Sequence, residues 1–390
     1  MAEFTLHSST GGTVSQLLQI YPVENRAAMR QFIRLPWSIY AADPMWIPPL
    51  LMERRQHLAS RNPYFKHARW RAWLAYRGHQ PVGRISAQVD ELHLSKHQDK
   101  TGFFGMLEAE DNLDTFRRLL HSAETWLRTQ GLSQILGPFN LSINHDIGLL
   151  VDGFDSSPNI LMGHARPYYA PHLEALNYFP AKDLLAYRLK ADFTPPAAVQ
   201  ALTSKSAENL SVRSLRRTDL TKELSILRDI FNDAWSDNWN FVPFTEAEFL
   251  DLGRNLMHLI SDDFVQIVEF DGNPVAMIVL LPNLNEIIRD LNGRLLPFGW
   301  FKLLWRLKWR YPKTARVPLM GVRRQFQNSL LGSALAFKAI EALRVPARKR
   351  NIQQVELSWI LEDNVRMRSI IEALGGEIYK RYRVYQKSLP

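Results

Sequence analysis

At 390 residues, with 46% apolar and 22% charged side chains, the chain has the composition of a globular protein long enough for two cores. It has no cysteine, which excludes disulfides, thiolate metal sites and a cysteine nucleophile. The net charge of +9 asks for an anionic partner, and nucleic acid, a membrane surface and a polyphosphate cofactor all satisfy it.

Residues 1–20 are polar and are expected to form a flexible N-terminus; they lack the basic and apolar halves of a signal peptide. No apolar run approaches the roughly 18–20 residues that cross a bilayer. Residues 25–40 read as a helix, and the prolines of 43–49 separate it from a second helix at about 50–59. Strands at 69–76 and 82–89 make a hairpin. Residues 103–108 read as a strand. Residues 112–129 are a helix stopped by Gly131, with Leu113, Phe116, Leu119, Leu120 and Leu127 on one side. A strand at 134–136, a helix at 168–176 and a strand at 184–189 complete this half. In the second half, helices are expected at 224–234 and 246–259, and strands at 264–270 and 275–281 flank Asp271-Gly272-Asn273-Pro274. A strand end at 317–320 and a helix at 330–343 follow. The tail gives a strand at 355–360, a helix at 365–374 and a strand at 377–387.

Two segments are echoed in the same order. WLAYRGHQPVGRISA (73–87) matches IVEFDGNPVAMIVL (267–280), and LEALNYFPAKDLLAYRLK (173–190) matches IEALGGEIYKRYRVYQKS (371–388). They imply a duplicated lobe: residues 21–192, a linker over 193–208, and residues 209–390. The first copy carries an extra irregular segment, 137–167, rich in Asn, Asp, Gly, Pro and His; such segments inside a compact domain are often functional.

The stretch VPLMGVRRQFQNSLLGSAL (317–335) reads as strand end, basic loop and helix start. That order aims free amides and the positive end of a helix dipole at one spot, which suits phosphate. The first copy has the acidic Glu108-Ala109-Glu110-Asp111 at the matching place, so an anionic cofactor belongs to the second. Gln327-Asn328-Ser329-Leu330-Leu331-Gly332 resembles the Q/R-x-x-G-x-G/A loop of the acyl-CoA N-acyltransferase (GNAT) superfamily, with Leu330 in place of the first glycine. Asn364 after the next strand and Gly375 after the next helix resemble the same pattern. The stretches 32–49 (FIRLPWSIYAADPMWIPP), 62–68 (NPYFKHA), 82–87 (VGRISA), 148–155 (GLLVDGFD), 231–244 and 291–298 (LNGRLLPF), spread over nearly the whole length, resemble a bacterial branch of two-lobed GNAT-like proteins that includes bacterial ceramide synthases.

The resemblance implies an α/β fold with a mixed α+β sheet in two tandem GNAT-like lobes. It implies acyl transfer from acyl-CoA, as co-substrate and without a metal, to the amine of a long-chain sphingoid base; an acyl-carrier protein is an alternative donor. The amides of Met320, Gly321 and Val322 would polarise the thioester. Arg323, Arg324, Gln327, Asn328, Ser329, Leu331, Gly332 and Ser333 would hold the diphosphate and adenosine, and Asn364 would face the pantetheine arm. For the base, the candidates are His145, Asp146, Glu362 and Asp363; the His145–Asp146 pair is preferred because it sits in the irregular segment, and Glu362 and Asp363 serve equally as helix caps. Many relatives carry a tyrosine acid seven places after the asparagine; here that position is Ile371, leaving Tyr379, Tyr382 and Tyr385 open. Trp235, Asp237, Asn238, Trp239 and Phe241 would wall the acceptor, joined by Asn140 and Asn144.

Residues 292–311 (NGRLLPFGWFKLLWRLKWRY), drawn as a helix from Phe298, put Lys302, Arg306 and Arg310 in one stripe beside Phe301, Leu304, Trp305 and Trp309. That pattern suits the inner leaflet of the cytoplasmic membrane, giving a cytoplasmic, peripherally bound protein; a buried helix with snorkelling bases is the other reading. Nucleic acid is not expected. The rivals are an N-acyltransferase of a soluble amine, for which 298–310 would be buried, and a non-catalytic lipid- or nucleotide-binding module.

Overall fold

A computed structural model describes residues 17–193 and 209–390. The strands of the first half are β1 (Leu18–Pro22), β2 (Ala68–Arg77), β3 (Gln80–Asp90), β4 (Thr101–Ala109), β5 (Gln134–Gly137), β6 (Phe139–Asn140), β7 (Asp146–Ile147), β8 (Leu149–Asp152) and β9 (Phe179–Lys190). Those of the second are β10 (Leu210–Ser214), β11 (Val265–Phe270), β12 (Asn273–Pro282), β13 (Thr314–Val322), β14 (Gln354–Leu361) and β15 (Glu377–Ser388). All but the β6–β7 ribbon join one 13-stranded mixed sheet in the order β1-β2-β3-β4-β5-β15-β9-β14-β13-β12-β11-β10, with β8 also on β15.

Two hairpins, β2–β3 and β11–β12, each lie one strand in from an edge of the sheet, and both have turns that tolerate left-handed backbone. Asp271 and Gly272 at the β11–β12 turn have φ of 49° and 75°, as a type I′ turn requires, and Gly78 has 58° between β2 and β3. The halves then exchange their last strands. β15 pairs with β5 of the first half, and β9 pairs with β14 of the second, while β9 and β15 run antiparallel side by side. The echoed segments 173–190 and 371–388 contain these two strands.

Helix α1 (Leu113–Thr129) is capped by Asn112, whose side chain accepts from the Asp114 and Thr115 amides. It buries Phe116, Leu119, Leu120 and Leu127, each worth about 1.5–3 kcal/mol. In the second half, α2 (Leu220–Ala234) and α3 (Glu246–Met257) cover one face, α3 starting with a Thr245–Glu248 capping box. Further along are α4 (Gly299–Trp309), α5 (Leu330–Lys349) and α6 (Val365–Ala373). The second core packs Leu224, Ile230 and Phe249 from α2 and α3, and Leu335 and Leu343 from α5, against β11–β13.

Several expectations change. Leu18–Pro22 is an edge strand on β2 with Leu18 buried, so the flexible N-terminus cannot extend to residue 20; residues 1–16 lie outside the described residues. Apart from Phe193, so does the expected linker 193–208. The expected helix at 25–40 is broken at Pro36 into Arg26–Arg34 and Pro36–Ile39. Helix α5 runs on through Pro346 to Lys349.

Candidate active site

Strands β13 and β14 are parallel but pair only from Thr314–Val317 against Gln354–Leu357. On the other edge of β13, the register with β12 slips between Val279 and Leu281, opposite Leu319 and Arg316. The extra residue bulges the strand at Val317-Pro318, and Pro318 has no N–H to keep pairing. Beyond the bulge the strands part, and a cleft of about 550 Å³ passes between them. The Arg323 amide donates to Val275 O at 2.8 Å. Antiparallel ladders alternate, so Leu319 and Gly321 also face β12, and the amides of Met320 and Val322 turn toward the cleft. Gly321 is required because a Cβ there would lie 2.3 Å from the Trp235 ring.

One end of the cleft is built for an anion. Ser329 caps α5, its hydroxyl accepting from the Gly332 amide at 3.0 Å, which leaves the first-turn N–H groups of Leu330 and Leu331 without an intrahelical partner. Gln327, Asn328, Gly332, Ser333 and Asn364 line the cleft here. The Gln327 side-chain Nε2 donates to Ala234 O and Val322 O, both at 2.8 Å, so it fixes the loop. Leu330, in the position of the missing glycine, points its side chain into solvent. A Cβ on Gly332 would come within 2.0 Å of Phe326 O, so the constraint there is the chain's own backbone rather than phosphate space.

The expected arginines are otherwise engaged. Arg323 donates to Pro274 O at 2.9 Å, Arg324 pairs with Asp237 at 2.9 Å, and neither lines the cleft. Residues 324–327 form a helical turn whose first amide is taken by Asp233 at 2.9 Å. Arg366 of α6, which the sequence did not single out, reaches the loop instead, donating to Gln327 O and to Asn328 Oδ1. Ser329 and Leu331 stay beside the cleft as cap and first turn. Asn364 caps α6 by accepting from Met367 N at 3.1 Å.

The other end is aromatic. Trp235, Asp237, Asn238 and Trp239 line it, with Ser358 and Trp359 of β14 opposite. Phe241 is instead buried against Phe231, with Lys96 over its ring at 4.3 Å; it belongs to the core. Asn140 and Asn144 do not line the cleft. Asn140 bridges the Met106 amide (2.7 Å) and Asp146 (2.8 Å), and Asn144 donates to Val242 O at 2.9 Å.

Beneath Ser358 lies a buried polar group that the sequence concealed. The Arg316 Nε donates to Ser358 Oγ at 2.8 Å, Ser358 Oγ donates to Glu356 Oε1 at 2.5 Å, and the Tyr379 hydroxyl donates to Glu356 Oε2. Arg316 also donates to Ile160 O (3.1 Å) and Leu161 O (3.0 Å), tying the irregular segment to the floor of the cleft.

His145 and Asp146, within that segment, lie behind Trp359 and outside the cleft lining. Asp146 packs on Gly163; the Gly163 carbonyl accepts from Tyr382 (3.2 Å), whose ring meets Trp359 edge-on at 6.3 Å. Burial raises the Asp146 pKa, and its Oδ1 has no hydrogen-bond partner. Burial pushes His145 down to about 4, against the pull of Glu248 and with Arg54 adding to it; its Nδ1 lies 2.9 Å from Ser142 Oγ. Glu362 accepts from the Asp183 amide at 3.1 Å and is not in the lining, whereas Asp363 lines the cleft and pairs with Lys182 at 2.7 Å. Tyr379, Tyr382 and Tyr385 are all engaged away from the cleft, Tyr385 with Glu174 at 3.0 Å, while Ile371 lines it.

No protein-family model matches the chain. It is 48% identical over 366 residues to Protein YghO of Escherichia coli (strain K12), covering 94% of each. It is 46% identical over 377 residues to the bacterial ceramide synthase of Caulobacter vibrioides, covering 95% of this chain and 98% of that one. Among solved structures, a tandem GNAT protein from the clavulanic acid biosynthesis pathway superposes with a TM-score of 0.56 at 14% identity, over 96% of this chain and 99% of that one. A GCN5-related N-acetyltransferase from Sphaerobacter thermophilus gives 0.51 at 12%, over 95% and 96%. At such identities the structural likeness shows the fold. Together with the sequence relatives, it establishes that the chain belongs to the two-lobed, GNAT-like family of acyl-CoA-dependent N-acyltransferases that includes the Caulobacter vibrioides ceramide synthase.

Proposed function

We propose that the protein transfers a fatty acyl group from acyl-CoA to the amine of a long-chain sphingoid base, forming a ceramide-type amide. The observation that carries this reading is the through-sheet cleft, with unspent amides and Arg366 at one end and an aromatic wall holding Asp237 at the other. The relation to a bacterial ceramide synthase supports it.

In this reading the first-turn amides of Leu330 and Leu331, with Ser333 and Arg366, take the diphosphate. Asn364 and Met320 flank the pantetheine arm, and the Met320 N–H polarises the thioester carbonyl. The amine nitrogen attacks that carbon, the C–S bond breaks, and the thiolate leaves. Of the two neighbours in the irregular segment, Asp146 is the better proton acceptor, because burial raises its pKa while the same burial makes the His145 ring a weak base. Asp146 lies outside the cleft lining, so in this reading the Trp359 ring swings aside to admit the amine. The sphingoid chain lies along Trp235 and Trp239.

The acceptor's setting is the cytoplasmic face of the inner membrane. In α4 no residue is buried, and Leu296 and Phe298 (both 79% exposed), Phe301, Leu304, Trp305 and Trp309 form one apolar face. A soluble-amine enzyme would bury this element, so its exposure favours a lipid acceptor. Lys302 and Arg306 are not free cations as the stripe implied; both pair with Asp290, leaving Lys308 and Arg310 for anionic lipid. No described helix is long and apolar enough to cross a membrane. The test is to incubate the purified protein with sphingoid bases and either acyl-CoA or acyl-carrier-protein thioesters, and to read the N-acylated product by mass spectrometry.

A further inference from the structure

The cleft does not stop where β13 and β14 part. It continues down the face of the sheet covered by α5 and α6, as a channel between those helices and the strands. Its wall on α5 is Ala336, Ile340, Leu343 and Ala347, spaced three or four residues apart and so aligned on one face of the helix. Ile371 of α6 lines the same channel. The foot is closed by Phe193, with the Arg344 guanidinium 4.9 Å over its ring. From Ala336 to Ala347 the helix rises about 16 Å at about 1.5 Å per residue, the length of an extended chain of about a dozen carbons.

The sphingoid chain is assigned to Trp235 and Trp239 at the aromatic end, and CoA itself has no group for this apolar space. The diphosphate belongs at the other end of α5, and the proposed reading runs the pantetheine arm past Asn364 to a thioester at Met320, above the channel. We infer that the channel takes the donor's acyl chain and that Ala347, at its foot, sets the longest chain that fits. This rests on the acyl-CoA reading of the cleft and adds to it where the donor's chain lies and what limits its length. Two alanines in the wall leave room that larger side chains would fill, and each methylene buried against it tightens binding about fourfold at most.

The test is calorimetric titration of the full-length protein with free CoA, acetyl-CoA and saturated acyl-CoAs of increasing length. Affinity should rise with chain length to a plateau at long chains. Ala347→Phe should move that plateau to chains several carbons shorter, and Leu343→Ala should move it the other way or tighten the longest donors. Binding of free CoA, which has no chain, reports that each variant has folded. Affinity that stops rising beyond acetyl-CoA, or the same plateau in both variants, overturns the channel even if amide product is formed. Length-dependent binding without amide product upholds the channel and instead removes the transfer reading.

Discussion

Arg316 and Glu356 face each other across β13 and β14 at one of the last paired steps before the strands separate, N to O 3.7 Å apart, and each is almost wholly removed from water. The pair is completed by Ser358 and Tyr379 and by the Ile160 and Leu161 carbonyls, so it joins both halves at the floor of the cleft. A buried ion pair adds little net stability over an apolar pair, but removing one member strands the other charge. Arg316→Met should therefore lower the unfolding free energy by about 3–5 kcal/mol, and Arg316→Met with Glu356→Leu by clearly less. Denaturant titration measures both; a single variant as stable as wild type would show that the pair is not held as described.

Arg366 is expected to matter for the donor alone. Arg366→Ala should raise the KM for acyl-CoA roughly ten- to a hundredfold, the worth of a hydrogen bond to a charged group, with kcat little changed. Gly332→Val should behave differently, lowering the melting temperature as well, because its side chain meets Phe326 O before it meets any ligand. Steady-state kinetics with thermal melts separates the two.

Asp146→Asn should cut kcat by roughly 10²–10⁴, the usual contribution of a positioned base. Burial raises the Asp146 pKa, so wild-type activity should fall on the acid side as that carboxylate is protonated, and the variant should lose this limb. His145→Ala should cost far less, since a ring held near 4 is neutral and weakly basic at pH 7. A pH–rate series on the three proteins decides; equal losses in both variants would assign the proton differently.

His67 links the halves through Asp90 at 3.1 Å and Glu248 of α3 at 3.2 Å. Burial works against its charged form, but the two carboxylates win and carry its pKa to about 9. A raised folded-state pKa stabilises fully below the unfolded value of about 6.5, and the effect declines as pH rises through about 9. The melting-temperature gap between wild type and His67→Gln should be widest near pH 6 and should close above pH 9.

Replacing Phe298, Trp305 and Trp309 together by serine should release the protein from anionic vesicles without lowering its melting temperature, because all three are exposed. Reversing Lys302 and Arg306 is a poorer probe, since it breaks their contacts with Asp290. Flotation assays read the difference; vesicle binding that survives the serine variant would remove α4 from the membrane contact.

Periodicity exposed what is local. The hairpins, α1 and the aromatic face of α4 all carry alternation or helical spacing strong enough to read directly. The strand exchange was not legible, because β9 and β15 have similar sequences and alternation does not say which neighbour a strand joins. Arg316 stands in an apolar run, and only the register that brings Glu356 opposite explains it. Arg366 meets a loop 38 residues earlier in sequence, a pairing no local pattern encodes. Phe241 and Trp239 look alike as aromatics near an acceptor, yet one turns into the core and the other into the cleft.

Whether the protein forms a ceramide-type amide is decided by a single incubation of the purified protein with a long-chain acyl-CoA, a sphingoid base and anionic vesicles. Mass spectrometry should find the N-acylated base and free CoA in equal amounts. Binding of the donor with no amide formed on any sphingoid base would rule out this transfer.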